Sequence, residues 1–177
     1  MPVKFLFNQT HHKAWVLCHQ CHNMVTKCEE FVLAKVGLTP QQYSVLMAIK
    51  FLGKPATPTD VARWLDRNTN SITLIVDRME RDGLVTRARD LRDRRSLRLV
   101  MTKKGEELLE RASVPAWELV QNTLSCLSEE ELQTLCNLIE KVRGSAFQIL
   151  NPGKKMEEVP TSDKENINRF MARVKNV

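Results

Sequence analysis

No stretch of this sequence approaches the roughly 20 consecutive apolar residues needed to cross a bilayer, so no membrane span is expected. The opening residues, Met1 to Lys13, lack the long apolar segment and small-residue cleavage site of a secretory signal, which makes a cytoplasmic protein the expectation. In that compartment the five cysteines read as thiols rather than disulfides. No internal repeat and no low-complexity tract is present, which sets aside repeat architectures. The sequence also lacks a glycine-rich phosphate loop, a His-Glu-x-x-His pair and a nucleophile elbow. Cysteine and histidine do occur together on one segment, but nothing supplies the third, orienting group that a nucleophilic site needs. Neither an enzyme nor a cofactor is expected.

The 177 residues suit one compact domain with helical extensions, and 42% hydrophobic residues suffice for a core without cross-links. The net charge of +6 favours an acidic partner such as nucleic acid, although where the charge sits matters more than its sum.

Along the chain, Ala14, Cys18, Cys21, Val25, Cys28 and Val32 recur at spacings of four and three, an apolar seam close to a heptad on a helix over about 11–36. Thr10 reads as its cap and Gly37 as its stop. Thr39 and Pro40 then open a second helix that buries Tyr43, Leu46, Met47 and Ile49 and stops at Gly53. A third helix starts at Thr57 or Thr59 and turns Val61, Ala62 and Leu65 inward. The polar stretch Asp66-Arg-Asn-Thr-Asn70 separates it from a fourth helix, about 70–81, with Ile72, Ile75, Val76 and Met79 as its core face. The period then changes. Leu84 to Arg89 and Leu97 to Met101 partly alternate as strands do, with the charged loop Asp90 to Ser96 between them, and together they read as a β-hairpin. Helix returns from Thr102, where Pro115 is expected to kink or split it. Ser128-Glu-Glu-Glu131 is a capping box for a further long helix, with Leu127 and Leu132 as its staple, ending at Asn151-Pro-Gly. A linker follows, and a second capping box at Ser162 opens a short amphipathic helix carrying Ile167, Phe170, Met171 and Val174.

This order predicts a mainly α fold with a small β-hairpin wing: a winged helix-turn-helix plus a helical dimerisation domain. The expected divisions are an N-terminal dimerisation helix (1–37), a DNA-binding lobe (38–104), long C-terminal dimerisation helices (105–150), and a linker with a short helix (151–177). A tight polar turn forces the third and fourth helices to cross steeply, which frees one of them for a major groove. The residues opening the fourth helix, Asn68, Thr69, Asn70, Ser71 and Thr73, are short and polar, suited to base edges and phosphates, although such residues also serve ordinary turns and caps. In and around the hairpin, Arg87, Arg89, Arg92, Arg94, Arg95, Arg98, Lys103 and Lys104 stand against only Asp90 and Asp93. Arginine at a hairpin tip suits a narrow minor groove. The pattern alone does not choose among these arginines.

Leu38-Thr-Pro-Gln-Gln-Tyr43, the run Ile72 to Val85, Asp90-Leu-Arg-Asp-Arg-Arg-Ser96 with Met101-Thr-Lys-Lys-Gly105, and Ser128-Glu-Glu-Glu-Leu132 together resemble the MarR family of bacterial winged helix-turn-helix regulators. The resemblance covers most of residues 11–150, and the wing motif with its following Thr-x-x-Gly is its most specific part. It implies an obligate homodimer on double-stranded DNA, each lobe reading half of a pseudo-palindromic operator with half-sites about one helical turn apart. It further implies that Asn68 through Ser71 and Thr73 face the major groove, that Arg95 enters the minor groove oriented by Asp93, and that Arg92 and Arg94 hold phosphates or assist. Repression relieved by a small aromatic or phenolic effector is the expected function. The long extension past Asn151 and the Cys/His-rich first helix depart from the family pattern.

In that helix Cys18-His-Gln-Cys21-His22 matches a haem-attachment pattern, but such attachment requires export. A metal would need further ligands from elsewhere, so no metal site is assigned. A redox or metal-responsive transcriptional sensor built on this Cys/His helix is the alternative function, with Cys18 and Cys21 as the reactive thiols of its redox form. The plainer reading puts Cys18, Cys21 and Cys28 in the dimer seam as small apolar side chains, with Cys126 and Cys136 as core too. Trp15, His19 and His22 form a neighbouring stripe expected to line an effector pocket.

Overall fold

A computed structural model describes residues 8–52, 56–89 and 97–154. Among the described residues the order is α1 (Gln9–Ala34), α2 (Pro40–Phe51), α3 (Pro58–Trp64), α4 (Thr69–Arg81), β1 (Val85–Arg89), β2 (Leu97–Met101), α5 (Lys103–Leu124) and α6 (Glu129–Leu150). The expected C-terminal helix and the Arg92–Arg95 cluster lie outside the described residues, as does Gly53.

Local chemistry sets most of the boundaries. Thr39, Thr57 and Ser128 each accept the backbone N–H three residues on, and Gln42, Asp60 and Glu131 reach back to the cap, giving three reciprocal capping boxes. Asn8, rather than Thr10, caps α1. Gly37 and Gly83 turn the chain out of α1 and α4 with φ of +81° and +71°, a region open to glycine at little cost.

The core gathers between Leu33 and Ala112. Val45, Leu46 and Ala48 of α2, Val61 and Ala62 of α3, and Ile72, Val76 and Met79 of α4 are fully or almost fully buried, with Leu84, Val85 and Leu99 closing the hairpin side. The strands pair antiparallel from Val85 opposite Met101 to Arg89 opposite Leu97. On its other edge β2 receives Ala56, whose carbonyl accepts the Leu99 N–H at 2.7 Å.

The Thr-x-x-Gly motif has a physical explanation here. Thr102 caps α5 by accepting from the Gly105 N–H, while its hydroxyl donates to the Gly83 carbonyl at 2.7 Å. The first turn of α5 is thereby drawn onto the chain leaving α4. A Cβ on Gly105 would collide with the Leu84 carbonyl oxygen and approach Met101 Cγ to 2.9 Å, so only glycine fits.

Of the kink or split expected at Pro115, the split does not occur: α5 runs through it from Lys103 to Leu124. Proline removes one N–H bond there, and the packing of Leu109, Ala112 and Ser113 on the turns before it holds the helix on the lobe. Cys126, in the turn after α5, and Cys136 of α6 are exposed within the single chain, where α6 buries none of its residues.

Candidate nucleic-acid interface

Helix α4 presents two opposite faces. Ile72, Val76 and Met79 are buried against α2, α3 and the hairpin. Asn70, Ser71, Leu74 and Arg78 therefore face outward, separated by helical steps of three and four. The polar residues that open the helix divide by task. Asn68 is its cap, accepting the Asn70 N–H at 2.8 Å, and Thr73 is half-buried with its hydroxyl donated to the Thr69 carbonyl at 3.0 Å. Thr69 is half-buried as well, whereas the Asn70 and Ser71 side chains are exposed. Leu74, 61% exposed, and Arg78 were not singled out by sequence reasoning, although subtracting the buried face of α4 would have found them.

The wing is fastened to this helix. The Arg87 guanidinium of β1 bridges Asp77 and Glu80 of α4, its Nη1 lying 2.7 Å from Glu80 Oε2 and its Nη2 on Asp77 Oδ1. Glu80 also accepts the Arg87 backbone N–H at 3.1 Å. Partial burial works against the charge, but the two carboxylates outweigh it and hold the Arg87 pKa above its ordinary value. Arg87 is thus a strut that fixes β1 against α4 rather than a free cation of the wing. Lys104 is similarly engaged, donating to the Asp82 carbonyl at 2.8 Å, and Lys103 lies 3.8 Å from Glu107. The turn ahead of α4 is held from a distant element. Asp66, in the left-handed region at φ +53°, takes both Nε and Nη2 of Arg143 from α6 at 2.8 Å on one carboxylate oxygen.

A cavity of about 380 Å³ opens where α1, α2 and the second half of α5 meet. Its walls are mostly apolar, with Val25 and Val32 from α1, Met47 and Phe51 from α2, and Trp117, Leu119 and Val120 from α5. Glu29 of α1 is its charged lining residue. Desolvation raises the Glu29 pKa above the usual carboxylate value, and the charge of His22 opposes this. Tyr43 faces Ser113; burial raises its pKa, its hydrogen bond with Ser113 lowers it, and the Glu29 charge raises it again.

Trp15, His19 and His22 are not among the lining residues. They are exposed on the part of α1 before the cavity, where Trp15 packs edge-on against His19 at 4.9 Å between ring centroids. Cys18 and Cys21 are exposed free thiols on the same stretch. Among the described residues no group of three or more His, Cys, Asp or Glu side chains converges as metal ligands, and no helix is long and apolar enough to cross a membrane.

The sequence profile of the MarR family matches residues 36–96, the span from the end of α1 through the hairpin loop. The transcriptional activatory protein BadR of Rhodopseudomonas palustris is 38% identical over 102 residues, which make up 55% of this chain and 57% of that protein. This chain thus spans little more than half the length of that relative. Among solved structures, the organohalide-sensing regulator RdhR-CbdbA1625 in its 2,4-dichlorophenol-bound form aligns with a TM-score of 0.76 at 22% identity, covering 86% of this chain and 90% of that one. A cysteine-to-serine mutant of MarR from Escherichia coli, complexed with operator DNA, aligns with a TM-score of 0.66 at 24% identity, covering 71% and 90%. The names of these proteins are those of regulators, and the two solved structures share the fold of this chain. The lobe with its hairpin, residues 36–96, is thus similar to the MarR family, and the BadR relationship points the same way.

Proposed function

We propose that this chain is a ligand-gated transcriptional regulator that binds a pseudo-palindromic operator as a homodimer. The observation that carries the reading is the position of the cavity. Its walls come from α1 and α5, reserved here for dimerisation, and from α2 of the lobe that carries α4. A ligand that fills it favours one angle between lobe and dimer helices. Since half-site spacing is geometric, a change in that angle changes operator affinity, provided the ligand binds the two arrangements unequally. Where the operator overlaps a promoter, occupancy without ligand and release with it amounts to repression.

The reading assigns 38–104 to DNA and 1–37 with 105–150 to the dimer. The exposed apolar side chains support that division, since α1 leaves Trp15, Met24 and Phe31 uncovered and α6 leaves Leu138, Ile139 and Val142 uncovered. On the DNA side, Asn70 and Ser71 read base edges, Leu74 meets a thymine methyl, and Arg78 takes a base or phosphate. Asn68, Thr69 and Thr73 shape the start of α4 that presents them. Arg95 in the minor groove, aided by Asp93, Arg92 and Arg94, rests on the family resemblance. In place of Trp15, His19 and His22, the effector site is the cavity beside Glu29 and Tyr43.

The test is operator binding by anisotropy with Asn70→Ala and Arg95→Ala proteins of unchanged circular dichroism. Asn70→Ala should relax discrimination at one base position of each half-site, at a cost of about 1–3 kcal/mol. Arg95→Ala should weaken binding. Wild-type affinity in both variants overturns the interface.

Redox gating is the second reading, favoured by the exposure of Cys18 and Cys21 one helical turn apart on α1. It predicts that diamide releases wild-type protein from the operator and leaves a Cys18→Ser, Cys21→Ser protein bound.

A further inference from the structure

The polar groups of the cavity are unequally occupied. Ser113 donates its hydroxyl to the Leu109 carbonyl at 2.7 Å within the wall, and Tyr43 lies beside it. Thr123 sits at the exposed rim. Glu29 is different. Among the described residues no hydrogen bond or salt bridge engages its carboxylate, and no Lys, Arg or His belongs to the cavity lining. His22, which acts on Glu29 through its charge, is two turns away along α1 and exposed. The cavity therefore combines an apolar body with one unpaired acceptor and no countercharge for an anion.

Resting on the effector reading above, we infer that Glu29 is the specificity-determining residue of this cavity. It selects an aromatic ligand that carries an uncharged O–H or N–H donor and excludes the aromatic carboxylate of the same shape. Two effects act in the same direction. A donor gives the half-buried Glu29 carboxylate, which no protein group among the described residues engages, a hydrogen bond from the ligand. A ligand carboxylate would instead set a second negative charge beside the first in an apolar surround, and one of the two would have to take up a proton. The apolar walls fix size and shape, and Glu29 fixes polarity.

A matched trio of ligands separates these effects in the full-length protein: para-chlorophenol, para-chlorobenzoate and para-chloroanisole, titrated by calorimetry near neutral pH. The rings are alike, but only the first has a donor and only the second has a charge. The phenol should bind more tightly than the anisole and at least about tenfold more tightly than the benzoate. In Glu29→Gln, whose amide still accepts from a phenol but does not repel an anion, the gap between phenol and benzoate should fall to about twofold. Val120→Phe, which fills the cavity from its half-exposed rim, should weaken the phenol and thereby locate the site. Benzoate binding as tightly as phenol in wild-type protein, with both weakened by Val120→Phe, overturns the role of Glu29 and leaves the effector cavity standing. Binding by none of the three, or binding indifferent to Val120→Phe, overturns both.

Discussion

The lobe built from α2, α3, α4 and the hairpin differs from the helices that flank it in what it leaves uncovered. Of the buried apolar side chains, all but Leu33, Leu109 and Ala112 fall between Leu38 and Leu99. Helix α6 buries none, and Ile149 and Leu150 at its end are 78% and 80% exposed. Helix α1 buries only Leu33 over its 26 residues. Both regions have apolar stripes at helical spacing in the sequence, yet one stripe meets its complement within the chain and the other does not. A period in the sequence reports that a face will be covered, not by what. The lobe closes on itself, and the outer helices are left for the second copy of the proposed dimer.

Removing a lobe core residue should have the largest effect. Met79→Ala empties a fully buried site beside α2 and the hairpin and should cost about 3 kcal/mol in urea unfolding. An equally drastic change in α6, Ile139→Glu, should leave the lobe transition unmoved and instead convert the dimer to monomer in sedimentation or light scattering. If Ile139→Glu unfolded the lobe, the two regions would not be independent.

Gly105→Ala comes next, at roughly 2 kcal/mol, because its methyl has no room beside the Leu84 carbonyl. Gly37→Ala makes a useful contrast: nothing lies within 4 Å of its Cβ position, and its penalty comes from a φ of +81° alone. Arg87→Ala should cost on the order of 1 kcal/mol and loosen β1 from α4, which hydrogen exchange at the Arg87 and Leu99 amides would report. Arg143→Ala, which releases the turn at Asp66 from α6, should change stability by less than about 1 kcal/mol, because Asp66 is more than half exposed. It should change operator affinity more than fold stability, since its partner lies just ahead of α4.

The smallest expected effect concerns pH. Burial raises the folded-state pKa of Glu29, so the folded protein holds this proton more tightly than the unfolded chain does. Stability from this group therefore falls as pH rises from the unfolded toward the folded value and is regained as pH falls through that window. Glu29→Gln should be slightly more stable than wild type at neutral pH, with the difference vanishing under acid, as read by melting temperature across a pH series.

Features set by near neighbours were legible in the sequence. Thr39 with Gln42, Thr57 with Asp60, and Ser128 with Glu131 place three helix starts, because caps act over three residues. The inward face of α4 was legible from its period. Features set by distant partners were not. Arg87 reads as one cation in a basic hairpin until Asp77 and Glu80 arrive from the helix ten and seven residues earlier. Pro115 reads as a kink or a split, and packing on the lobe carries α5 through it unbroken. Trp15, His19 and His22 share α1 with Glu29, but which part of that helix faces the cavity depends on where α2 and α5 cross it. The tip arginines Arg92, Arg94 and Arg95 lie outside the described residues, and their role stands on the family motif.

Gating of DNA binding through the cavity of the dimer is the central claim. The direct measurement is fluorescence anisotropy of a labelled duplex from upstream of the gene against a scrambled duplex, at fixed salt, with and without para-chlorophenol. The expected result is selective binding that weakens as the ligand saturates, with Val120→Phe protein selective but indifferent to the ligand. Equal affinity for both duplexes, or selective binding that a bound ligand leaves unchanged, would contradict it.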